Sequence, residues 1–151
     1  MQQSGIDILD ANRTMTIATV RPDGWPQATI VGYANEGFDL YFLIYRDSQK
    51  FANISRDNRV AISVGHEPRE LRDVKAVYAA CEVWEITDLA QRGRVWTLLE
   101  KRHPQLTDLA PPGTAEVATM CARCKHISVL DYSKGLGHSE AIHLDAERPD
   151  R

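Results

Sequence analysis

The stretch that most restricts how this chain can fold is Thr14 to Ala34, where two β-prone runs flank a four-residue turn. Thr14 to Val20 is rich in β-branched residues, the side chains that suit a pleated, half-buried surface. Arg21-Pro22-Asp23-Gly24 follows, with Pro presetting φ and Gly supplying the positive φ of a tight reversal. The chain returns through Gln27 to Ala34, turns at Asn35-Glu36-Gly37, and runs out through Phe38 to Tyr45. Strands joined by links this short pair antiparallel, because a parallel crossover needs a dozen or more residues. The continuous apolar run in Phe38 to Tyr45 predicts a strand buried on both faces.

The rest of the sequence extends that sheet. Ser48 is placed to cap a short helix through about Arg56, and Val60, Ile62 and Val64 then alternate with Ala61 and Ser63 as a half-buried strand does. A charged loop from His66 to Asp73 leads to a long β-prone stretch, Val74 to Thr87. Asp88 caps a helix in which Val95, Leu98 and Leu99 recur at helical spacing, with Trp96 packing beside them and Pro104 ending it. Ala110-Pro111-Pro112-Gly113 reads as loop, and Ile127 to Tyr132 as the last strand. The pattern predicts a mainly β, α+β fold: a six-stranded antiparallel barrel with short peripheral helices, closure being the usual way such a sheet disposes of its edges. One domain over 1–138 and a polar tail over 139–151 are expected, the tail having too little apolar surface to order itself.

Charge and composition exclude several classes of partner. A formal net charge of -3 over 151 residues gives no positive field for nucleic acid or anionic lipid. No run is apolar for long enough to span a bilayer, and Met1 to Arg13 lacks the pattern of a signal or transit peptide, so a soluble, cytoplasmic protein is expected. Three cysteines, Cys81, Cys121 and Cys124, are too few to staple a secreted fold. Cys121 and Cys124 have only His126 nearby, short of a zinc ligand set, and Lys125 interrupts the haem-attachment pattern, so packing is their expected role and no metal is expected. Trp25 and Trp84 are expected in core or interface. No Gly-rich dinucleotide or P-loop turn is present.

The order of elements, with "TMTIATVRPDGWPQATIVGYA" and "FDLYFLIYRDSQKFANISRDNRVAISVG", resembles the pyridoxamine 5'-phosphate oxidase-like family of FMN-binding split barrels over roughly Ile8 to Tyr132. The resemblance implies a homodimer with FMN at the subunit interface and the phosphate near Ser48 and Lys50. It implies that Ala28, Thr29, Ile30 and Val31 run along the isoalloxazine edge and that Leu43 and Ile44 flank the ring. Gln49 stands where the oxidases proper carry Arg, and Arg46 is the nearby cation able to replace it. The C-terminal Arg-x-His of the true oxidases is not reproduced in "HLDAERPDR", which argues against vitamin B6 oxidation.

The residues support this chemistry on their own terms. A bound phosphate needs helix N-terminal amides, a hydroxyl and positive charge, which Ser48, Lys50 and Arg46 supply within five residues. In the loop Asp131 to His138, two glycines two apart suggest close backbone approach, with Lys134 and His138 offered to the partner subunit's phosphate or substrate. The function expected is a flavin-dependent oxidoreductase acting on a small organic molecule, with NAD(P)H or another donor resetting the flavin. A non-enzymatic flavin- or haem-binding redox or stress module and a deazaflavin-dependent reductase are the alternatives.

Overall fold

The computed structural model describes residues 2–109, 111, 113, 115–142 and 144. Strand β1 (Thr14–Val20) pairs antiparallel with β2 (Pro26–Gly32), setting Ile17 opposite Thr29 and Met15 opposite Val31. Gly24 has φ 86°, the conformation the turn demanded, and its N–H donates to Arg21 O at 2.9 Å. A short β3 (Ala34–Glu36) precedes β4 (Asp39–Tyr45), followed by β5 (Arg59–Gly65), β6 (Lys75–Glu85), β7 (Val117–Asp131) and β8 (Ser139–Ile142). The sheet runs β2-β1-β5-β6-β7-β4-β3, with β8 also on β7, and every pairing is antiparallel. β2 and β4 approach each other across the split and curl the sheet into a barrel.

Three helices close the openings. α1 (Gln2–Ala11) lays Ile8 and Leu9 on the core, α2 (Gln49–Arg56) plugs the end between β1 and β4, and α3 (Leu89–Arg102) covers the outer face of β3 and β4. The barrel interior is filled by Leu9, Ile17, Tyr33, Leu40, Phe42 and Val77, all fully buried. A second apolar layer joins Tyr41 and Cys121 of the sheet to Val95 and Leu99 of α3. Among the described residues no helix is long and apolar enough to cross a membrane.

The fold is the expected α+β split barrel, with eight strands among the described residues in place of six. β3 is too short to carry an alternation of its own. β7 runs fifteen residues where only its last part was expected, because Arg123, Lys125 and His126 break the apolar pattern. Arg123 is neutralised on the neighbouring strand by Asp39 (3.0 and 3.1 Å), while Lys125 and His126 face solvent. The expected tail is partly ordered: Ser139–Ile142 pairs with β7 from Ile127 to Leu130 and buries Ile142. Residues 143 and 145–151, which hold most of the "HLDAERPDR" segment, lie outside the described residues, as do 110 and 112 of the expected loop. α1 had no advance signal because much of what ties down its C-terminal end comes from distant residues. Tyr33 Oη and Arg102 donate to Leu9 O, and Arg102 also donates to Asn12 O.

Candidate functional site

The segment that leaves β4 builds one end of the site. Tyr45 ends the strand, Arg46 N–H donates to Glu116 O, and Ser48 caps α2, its Oγ accepting from Phe51 N–H at 3.1 Å and donating to Tyr45 O at 2.7 Å. The cap fixes α2 so that its first amides point outward beside Lys50. Lys50 is half-buried, and desolvation lowers its pKa from the usual lysine value. Its ammonium has no hydrogen bond or ion pair among the described residues.

Arg46 is committed differently. Its guanidinium grips Glu85 at the end of β6 through two bonds, 2.8 and 2.7 Å, and lies 5.6 Å over the Phe51 ring. The bonds from Arg46 hold the Glu85 carboxyl below the usual range. Gln49, itself exposed, bonds along its own helix: its Nε2 donates to Asn53 Oδ1 at 2.8 Å, and Asn53 Nδ2 donates to Thr19 Oγ1 and Gln27 Oε1, both at 3.0 Å. This network rivets α2 to β1 and β2, the strand assigned to the ring.

On β2 the pleat divides the predicted residues. Thr29 and Val31 face inward beside Ile17 and Met15, while Ala28 and Ile30 face outward, Ile30 being 74% exposed. Their side chains therefore do not share one surface. What the four share is backbone, since among the described residues β2 pairs only with β1 and its other edge is left open. Among the described residues Thr29 Oγ1 is buried without a hydrogen-bond partner, a state uncommon enough in native structures to need an explanation.

Leu43 and Ile44 divide in the same way: Ile44 is in the core, and Leu43 looks toward α3. There a cavity of about 340 Å³ opens between β4, Trp96 of α3 and the 3-10 turn Pro104–Asp108. The Trp96 indole N–H donates to Glu100. The packing role expected of Trp96 is thus joined to a place in a cavity wall, while Trp25 is 72% exposed at the hairpin tip.

Lys134 and His138 are not brought to this end. They lie in the turn between β7 and β8, Lys134 3.7 Å and His138 3.1 Å from Glu140. β7 starts against Tyr45 and ends against Lys75, so on the order of 40 Å of strand separates them from Ser48 within one chain. Among the described residues no three His, Cys, Asp or Glu side chains gather as a metal site would require.

The family profile described as pyridoxamine 5'-phosphate oxidase matches residues 6–146. No curated protein matches the sequence. Among solved structures, a heme-binding protein from Mycobacterium smegmatis superposes with a TM-score of 0.80 at 14% identity, over 94% of this chain and 57% of its own. This chain thus spans little more than half of that protein. A FAD-binding protein from Mesorhizobium loti gives 0.67 at 23% identity over 84% and 91% of the two chains. General Stress Protein 26 from Bacillus anthracis gives 0.72 at 19% over 95% and 98%.

Proposed function

This chain belongs to the pyridoxamine 5'-phosphate oxidase family, and on that premise we propose that it is an FMN-dependent oxidoreductase acting on a small organic substrate other than the vitamin. The observation that carries the reading is Lys50, a half-buried ammonium with no counter-charge among the described residues, beside the capped start of α2. Such a charge pays a desolvation cost that a bound phosphate would offset. The orphaned Thr29 Oγ1 fits a polar ring atom in the same way.

In this reading the α2 amides and Lys50 hold the phosphate, and the open backbone edge of Ala28 to Val31 meets the ring. Ser48 and Asn53 act as positioning residues. When bound, a flavin supplies two-electron chemistry through its own ring, leaving binding, orientation and exclusion of water to the protein. Arg46 steadies Tyr45 and Phe51 through Glu85 and is not assigned to the phosphate. NAD(P)H is the proposed donor, and the cytoplasm the proposed compartment.

A homodimer completes the site. The outer face of β1, β2, β5 and β6 presents Ala18, Ala28, Ile30, Ala61, Tyr78 and Ala80, a patch of small and apolar side chains of the kind a second copy covers. A partner there gives Lys134 and His138 their route to a flavin, since their own chain's phosphate site lies at the far end of β7.

The test is the absorption spectrum of the purified protein, with mass identification of the released small molecule and light scattering for the assembly. Oxidised-flavin bands, a mass matching FMN and twice the chain mass are expected, with steady NAD(P)H oxidation once an acceptor is supplied. A Soret band overturns the cofactor assignment, and a flavin-bound protein without turnover overturns the enzymatic one.

A further inference from the structure

The cavity beside Leu43 has a chemistry of its own. Its walls are Leu43 and Tyr45 of β4, Trp96 of α3, Leu106 and Leu109 beyond it, and Val117 where β7 begins. At about 340 Å³ it falls at the small end of ligand-pocket sizes, roughly 300–1,000 Å³. Among the described residues, none lining it carries a charge. Among the described residues, only two side chains in its wall bring a polar atom: the Trp96 indole N–H, already given to Glu100, and the Tyr45 hydroxyl. Tyr45 and Leu109 are 64% and 61% exposed at its mouth, although apolar surface is normally withdrawn from water.

The geometry points to a binding site for the substrate itself: a neutral, flat aromatic molecule of one or two rings bearing a single hydrogen-bonding oxygen, its body between Leu43, Trp96 and Leu106 and its oxygen toward Tyr45. Three observations select that class. The uncharged wall rejects an ion, which would be desolvated without a counter-charge. The indole offers an aromatic ring to pack against. Among the described residues, the Tyr45 phenol is the one polar side-chain group in the wall without a partner. The substrate role rests on the flavin reading, through the strand β4 that both sites share; the binding itself does not.

Two probes of nearly equal shape test it by calorimetry on the protein as purified: 2-naphthol, which is neutral, and naphthalene-2-sulfonate, which is anionic. 2-Naphthol is expected to bind at least about tenfold more tightly, a difference of about 1.4 kcal/mol. Leu109→Arg, placed at the exposed mouth where folding is not at stake, is expected to weaken 2-naphthol and strengthen the sulfonate. Tyr45→Phe is expected to weaken 2-naphthol and leave naphthalene unchanged. Equal binding of the two probes, no binding of either, or indifference to Leu109→Arg overturns the inference. Flavin content is read separately from the visible spectrum. A protein without flavin that still discriminates the probes refutes the flavin reading and leaves the site standing, while a flavin-loaded protein that does not discriminate refutes the site alone.

Discussion

Asn53 Nδ2 lies 3.0 Å from Thr19 Oγ1, a bond between α2 and β1 in which both side chains are fully buried. The same amide nitrogen also donates to Gln27 Oε1, and its oxygen accepts from Gln49. One side chain thus ties the helix of the proposed phosphate site to both strands of the first hairpin. Asn53→Leu, matched in branching and heavy-atom count, leaves the buried Thr19 hydroxyl and the half-buried Gln27 side chain without this partner and is expected to cost about 1–3 kcal/mol, read as a lower urea midpoint at unchanged slope. FMN affinity should fall with it. An unchanged midpoint would mean that the network carries no net stability.

What the sequence revealed in advance was local. The Arg21 to Gly24 turn, the Ser48 cap and the Asp88 cap each lie within four residues of the groups they satisfy, so the residues alone announce them. The Asn53 network joins positions 26 and 34 apart, and Arg46 meets Glu85 across 39. No periodicity encodes such meetings, because they exist only once the sheet order is set. That is why Arg46 reads as a phosphate ligand in the sequence and as an ion-pair partner in the fold. The cavity beside Trp96 was equally hidden, its walls coming from β4, α3, the turn after it and the start of β7.

Acid should weaken the fold over a defined window. Bonds from Arg46 and Arg94 hold Glu85 and Glu36 below their usual 4.5, and Arg59 pulls Asp57 from 3.8 to about 2. A carboxyl depressed in the folded state contributes stability that is fully present above its unfolded pKa and is lost as pH falls through the folded one. The urea midpoint is therefore expected to be flat above about pH 5 and to fall from about 4.5 toward 2. Glu85→Gln should make that fall shallower. A midpoint that rises on acidification would contradict all three pairings.

Cys81 and Cys124 face each other where the β6–β7 register shifts, their sulfurs 3.4 Å apart and not joined by a disulfide. The bond to Cys124 and burial push the Cys81 thiol far above its usual pKa, which suppresses the reactive thiolate. Cys121 is buried as well. A thiol reagent such as dithiobis-nitrobenzoate is expected to find no cysteine in the folded protein and three after denaturation. Rapid reaction of the native protein would show that β6 and β7 open far more readily than their pairing implies.

The sharpest prediction concerns Lys50, because its functional and structural roles separate cleanly. It has no partner within the described chain, so Lys50→Ala removes nothing that holds the fold together, and the unfolding midpoint should hold or rise slightly as a desolvated charge is relieved. If the ammonium faces the FMN phosphate, the same change removes a charge-assisted contact of about 1.5–3 kcal/mol, roughly ten- to a hundredfold in affinity. Riboflavin, which lacks the phosphate, should bind the parent weakly and be indifferent to the substitution. Arg46→Ala makes the contrast: with its guanidinium spent on Glu85, it should disturb both ligands alike through Tyr45 and Phe51. Equal loss of FMN and riboflavin on Lys50→Ala would relocate the phosphate, whereas selective loss of FMN on Arg46→Ala would show that the pair with Glu85 opens to receive it.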